Sequence, residues 1–236
     1  MPEKLSRDWT TFEKSIGVTF KNRDLLTQAF IHRSFLNENP RTGLDHNERL
    51  EFLGDAVLEL AVTDFLYREY PESPEGELTS FRAALVNANT IAEVAQEINM
   101  NDYLFLSRGE AKDTGKARLY IMANAFEALI GAIYLDQGYE PTEKFIERFL
   151  YARAGDVVKK KLWRDSKSLV QEKAQEHVGV TPSYKVTHES GPDHDKHFTI
   201  GIFFGGEKIA EGKGHSKQEA EQDAARAALE AKKWLD

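Results

Sequence analysis

The sequence predicts two domains: an all-α domain over 1–153, then a small α+β domain of order αβββα over 164–236, joined by a linker at 154–163. Three observations lead there. A chain of 236 residues is longer than an average domain. Helical periodicity runs with almost no strand alternation to about Tyr151. Past Trp163 an alternation of period two appears that the first part lacks.

In the first part the apolar spacing predicts helices over Leu5–Ile16, Arg23–Phe30, Asn47–Tyr70, Glu75–Asn87, Asn89–Ile98, Tyr120–Asp136 and Pro141–Leu150. Between Ala152 and Trp163 that spacing fades, and Lys159, Lys160 and Lys161 form a basic run, which reads as a linker. A helix over Ser166–His177 opens the second part, and Tyr184–His188 follows as a strand. Phe198, Ile200, Ile202 and Phe204 then alternate with Thr199, Gly201 and Phe203 in a second strand. Gly205-Gly206 supplies a hairpin turn into Lys208–Gly212. Ser216 and Glu219 have capping-box spacing and open an alanine-rich helix to about Trp234. Both helices must cover one face of the sheet to bury it.

Composition narrows the chemistry. With 41% hydrophobic and 30% charged residues, each part has enough apolar side chains for a core. No stretch reads as a bilayer span and Met1–Lys14 lacks an apolar leader, so no membrane partner and a cytoplasmic location are expected. The absence of cysteine excludes disulfides, zinc–thiolate sites and thiol nucleophiles, which leaves oxygen or imidazole for any metal. The net charge of −8 divides unevenly: residues 164–236 carry 11 Lys and Arg against 13 Asp and Glu, and the first part 20 against 26. Neither part is basic, so binding a polyanion must rest on where a few cations and helix termini stand.

The chemistry concentrates in Asn47-Glu48-Arg49-Leu50-Glu51-Phe52-Leu53-Gly54-Asp55. On a helix advancing about 100° per residue, Glu51, Asp55 and Glu59 fall roughly 60° behind, 20° behind and 20° ahead of Glu48. Leu50, Phe52, Leu53, Ala56, Val57, Leu58 and Leu60 fill the rest of the circumference, so the helix is expected to be wrapped in core with its acids at the edge. Clustered carboxylates there favour proton uptake or a bound cation, and oxygen donors on adjacent turns suit Mg²⁺. A second mostly apolar helix carries Asn124 and Glu127 three apart on one face, with Gly131 continuing that face and allowing close helix approach.

Asn47–Asp55 resembles the signature of the ribonuclease III family over nine consecutive positions. His32-Arg33-Ser34, Gly76-Glu77-Leu78, Arg82–Asn87, Gly109-Glu110 and Glu127–Asp136 fit the same family. The second part resembles its double-stranded-RNA-binding domain through Gln171-Glu172, Gly191–Lys196 and Gly212–Gln222. The resemblance implies a helical endonuclease domain and an RNA-binding domain, acting as a Mg²⁺-dependent endoribonuclease with Mn²⁺ as a substitute. Its substrate would be double-stranded RNA, including rRNA and mRNA precursors, and its products would carry 5′-phosphates and short 3′ overhangs. It assigns Glu51, Asp55, Asn124 and Glu127 as metal ligands and Asp55, Glu127 and Glu48 as catalytic residues, Glu48 lying beside the site. It makes the protein a homodimer, with Phe52 packing into the partner. For RNA it points to Gln171 and Gln175 on one helix, His194 and Lys196 in a loop, and Lys213, His215, Ser216, Lys217 and Gln218 at the last helix, reading duplex shape and phosphates. The last helix has physical support of its own, because its capped N-terminus flanked by cations attracts anions.

Two positions depart from the family. Gln218 stands where a second lysine is usual, and Asn124 where an aspartate is typical, which removes a negative charge from the metal site. The rival reading this raises is a double-stranded-RNA-binding protein with impaired catalysis. A carboxylate-bridged di-metal bundle is the other rival, and it would want a Glu-x-x-His pair that the first domain lacks.

Overall fold

The computed structural model describes residues 7–40, 43–159, 166–192 and 196–234. They form two compact units, Met1–Trp163 and Arg164–Asp236. The first contains α1 (Trp9–Ile16), α2 (Arg23–Ala29), α3 (Arg33–Glu38), α4 (Glu48–Glu69), α5 (Glu75–Leu85), α6 (Ala88–Glu97), α7 (Lys116–Gln137), α8 (Tyr139–Ile146) and α9 (Ala152–Lys159). The second contains α10 (Ser166–Val178), β1 (Ser183–Ser190), β2 (His197–Phe204), β3 (Glu207–Gly214) and α11 (Lys217–Lys232).

Helix α7 is the axis of the first unit. Eleven of its residues are buried, from Ile121 to Ile133, and it packs on α2, α4, α6 and α8. This corrects the expectation that no stretch could span a bilayer: Lys116–Gln137 is long and apolar enough by length and composition. Here that apolarity lines a protein core. Polar anchors fix the helices it touches. Asp136 accepts from the backbone N–H groups of Lys21 and Asn22 at 2.9 and 2.8 Å, tying the end of α7 to the start of α2. Asn47, 3% exposed, donates its side-chain amide to the Ala29 carbonyl at 3.2 Å, so the start of α4 is held against the end of α2.

Three expectations change. The loop after Phe30 contains α3, capped by the His32 side chain accepting from Ser34 N, which was too short and too weakly apolar to read as a helix. The stretch 154–163, expected as linker, is helical through Lys159, and Ala154 and Val157 join the first core. Finally, α4 is not wrapped in core on every side. Phe52 is 82% exposed, Tyr67 73% and Leu60 58%, leaving an open apolar face.

The second unit is an antiparallel sheet of order β1-β2-β3. Gly205, at φ +61°, forms the two-residue turn that brings Phe204 opposite Glu207. Ile202 and Phe204 of β2 pack with Leu169, Val170, Ala224, Ala225, Ala228 and Leu229, so both helices cover one sheet face as the pattern requires. Helix α11 lies close over β3: a Cβ on Gly212 would overlap the Ala224 nitrogen, and one on Gly214 would stand 2.6 Å from the Ala220 nitrogen.

Candidate active site and nucleic-acid interface

The first candidate site lies along the seam between α4 and α7. A Cβ on Gly54 would overlap the Glu127 carbonyl oxygen, and one on Gly131 would overlap the Leu50 carbonyl oxygen. The two helices therefore meet backbone to backbone, with Glu51 and Asp55 flanking Gly54 and Glu127 facing it. Burial pushes the Glu127 carboxyl up to about 7, reinforced by the charges of Asp55 and Glu51. Burial also raises Glu51, followed by the charges of Glu48 and Asp55. Asp55 and Glu59 are exposed and Asn124 is half-buried, so burial weighs on Glu51 within the α4 stripe and on Glu127 across the seam.

Mutual repulsion within an all-oxygen set, on carboxyls that already resist ionising, fits a hard divalent cation that would replace the proton. Among the described residues, no three His, Asp or Glu side chains converge as a finished ligand set. Glu48 is engaged elsewhere. Its carboxylate is 3.2 Å from Arg33 Nε and 3.7 Å from His46 Nδ1, the latter beyond hydrogen-bond reach, so it stands at the edge of the seam in a clamp held by Arg33. In the sequence Arg33 is marked only by the His32-Arg33-Ser34 motif, and His46 only by its position two residues before Glu48. Next to the clamp, His32 Nδ1 is 2.8 Å from Ser34 Oγ, which accepts from Ser107 N at 3.1 Å. Burial lowers the His32 pKa against the opposing pull of Glu110 and Glu48.

The second candidate site belongs to the other unit. Gln171 and Gln175 are exposed one turn apart on α10, away from the buried Leu169, Val170 and Ala174. Ser216 caps α11, its hydroxyl accepting from Glu219 N at 3.2 Å. Glu219 reaches back to His215 N at 2.9 Å, one residue earlier than a capping box prescribes. Lys217 and Gln218 are exposed in the first turn of α11, and Lys213 is exposed on β3. The His215 and His197 rings lie 4.3 Å apart. Lys196 pairs with Glu189 at 2.8 Å. His194 lies outside the described residues.

Residues 22–154 match the family model described as ribonuclease-III-like, and residues 166–232 match the double-stranded RNA binding motif. A protein from Pelotomaculum thermopropionicum named Ribonuclease 3 is 46% identical over 93% of this chain and 91% of its own length. The chain belongs to the ribonuclease III family. A further Ribonuclease 3, from Protochlamydia amoebophila, is 42% identical over 96% of this chain and 93% of its own. Among solved structures, the nuclease domain of ribonuclease III from Campylobacter jejuni is similar with a TM-score of 0.56 and 36% identity, covering 63% of this chain and 97% of that one. Another structure of that domain, described as flexible in a region involved in dimer formation, has a TM-score of 0.54 and 38% identity, covering 60% of this chain and 94% of that one. As a member of this family with both domains, the protein is a double-stranded-RNA endoribonuclease.

Proposed function

We propose that this ribonuclease III cuts duplex RNA with Mg²⁺ held by Glu51, Asp55, Glu127 and Asn124, and that it processes structured rRNA and mRNA precursors in the cytoplasm. The observation that carries the reading is the α4–α7 seam, where backbone contact between Gly54 and Glu127 gathers carboxylates whose charge is resisted. Bound there, the cation would supply Lewis acidity for phosphodiester hydrolysis. Glu127 would give up its proton to make room for that charge. Glu48, paired with Arg33, keeps a carboxylate beside the seam without closing it to a phosphate.

Substrate is held by the second unit. Gln171 and Gln175 face a minor groove, the loop at His194 and Lys196 the next, and Lys213, His215, Ser216, Lys217 and Gln218 the phosphates between.

Cutting both strands calls for two sites, and the open face of α4 supports a homodimer. Phe52 and Tyr67 are fifteen residues apart on that face, about 22 Å along the helix. A two-fold axis between them would lay Phe52 of one copy beside Tyr67 of the other. There a cavity of about 490 Å³ opens, lined by Leu66, Tyr67, Leu78 and Arg82 among others.

The test is a long RNA duplex incubated with Mg²⁺ and read on a denaturing gel, for the wild-type chain and Glu127→Gln. Cleavage by the first and binding without cleavage by the second are expected. Normal cleavage by the variant would refute the site, and an uncut duplex in both would favour the RNA-binding protein that Asn124 makes the rival.

A further inference from the structure

The RNA-facing end of the second unit carries a carboxylate among its cations. Glu189, near the end of β1, pairs in register with Phe198 of β2, and its Oε1 lies 2.8 Å from Lys196 Nζ. Lys217, in the first turn of α11, holds its ammonium 5.7 Å from the centre of the Phe198 ring. The hydrogen bond from Lys196, with the charges of Lys196 and Lys217, keeps the Glu189 carboxyl below the usual carboxylate range. An ionised group therefore stands under the influence of two cations, one just before β2 and one in the first turn of α11.

We propose that Glu189 is a resident phosphate mimic, an internal anion that competes with the RNA backbone for Lys196 and Lys217 and so limits the affinity of this domain. The proposal rests on the reading of Lys196 and Lys217 as phosphate contacts. Two physical arguments carry it. Pairs as exposed as this one, 38% at Lys196 and 41% at Glu189, are weakly held, so an arriving phosphate displaces the carboxylate readily. The displaced charge stays nearby and repels the same phosphate, an interaction that salt screens over about 10 Å at 0.1 M. In a unit that carries more acid than base, one carboxylate at the contact face matters more than the total.

The experiment measures the affinity of the full chain for a short RNA duplex in EDTA, where no cleavage occurs, from low to moderate salt. Glu189→Gln should tighten binding at least about threefold near 0.1 M salt, and the gain should shrink as salt rises. Glu207→Gln makes the same charge change at the hairpin, six residues away along β2, or about 20 Å. It should leave affinity within about twofold, since that distance exceeds the screening length. In a Lys196→Gln background the gain from Glu189→Gln should fall, because the competed cation is gone. Lys196→Gln and Lys217→Gln must each weaken binding; if neither does, the phosphate contacts are misassigned and the proposal falls with them. If they do, and Glu189→Gln binds as the wild type or more weakly, the competitor role alone is overturned. Unchanged melting temperature of each variant separates these outcomes from misfolding.

Discussion

Gly54 of α4 and Glu127 of α7 touch through their main chains: a methyl group on the glycine would fall on the glutamate's carbonyl oxygen and 2.7 Å from its carbonyl carbon. The residue that makes the helix crossing possible is thus one position from Asp55. Gly54→Ala must separate the helices or bend them, at a cost of about 2 kcal/mol or more. Thermal or denaturant unfolding should show it, and a variant within about 0.5 kcal/mol of wild type would mean the seam opens freely.

Glu127 makes metal-free stability depend on pH. Its carboxyl titrates near 7 in the fold against the usual 4.5, so between those values the folded chain holds a proton that the unfolded chain has lost. Stability from this group is greatest below about 4.5, falls as pH rises toward 7, and stays low above it. Glu127→Gln cannot ionise. In EDTA its melting temperature should therefore rise relative to wild type from pH 5 to pH 7.5, and a pH-independent difference would contradict the assigned shift.

The amide at Asn124 should show in metal dependence. Replacing a carboxylate beside Glu127 removes attraction for a cation in a partly desolvated seam. Asn124→Asp is expected to raise the initial cleavage rate at low Mg²⁺ by about tenfold, roughly 1.4 kcal/mol, and the wild type should do better in Mn²⁺. Superimposable curves of rate against Mg²⁺ concentration would remove position 124 from the ligand set.

Assembly is tested at Phe52. With 82% of its surface exposed in the single chain, it should become buried in the homodimer. Phe52→Asp places an unpaired charge there, and sedimentation should show dimeric wild type and monomeric variant. A monomeric wild type would leave the open face of α4 without its proposed cover.

The parts of the site that could be read in the sequence are those set by helical spacing. Glu51 and Asp55 fall on one stripe, Asn124 and Glu127 on another, and Gly131 marks a close approach. What escaped depended on what lies outside each helix. Phe52, Leu60 and Tyr67 look like core residues by type and spacing, because a face for another protein and a face for the interior use the same side chains. The period of α9 was diluted by Arg153, Gly155 and Asp156, although Ala154 and Val157 are buried. The Arg33–Glu48–His46 clamp joins α3 to the start of α4, and although His46 is two residues from Glu48, no local pattern brings Arg33 to it. The αβββα order is plain in the alternation of β2 and the Gly205-Gly206 turn, whereas in the sequence Glu189 is one acid among many, and only the fold sets Lys196 beside it.

Because α4 and α7 meet through backbone atoms at Gly54 and Gly131, the spacing of the carboxylates is set by main chain and not by the size of neighbouring side chains. Trimming Leu129 or Ile133, fully buried along α7, should therefore cost stability before it alters the width of the seam. Enzymes damaged in this way would keep their turnover per folded molecule and lose only the fraction folded, so their defects would shrink on cooling toward the temperature of maximum stability. Substitutions at the two glycines would leave no such reserve at any temperature.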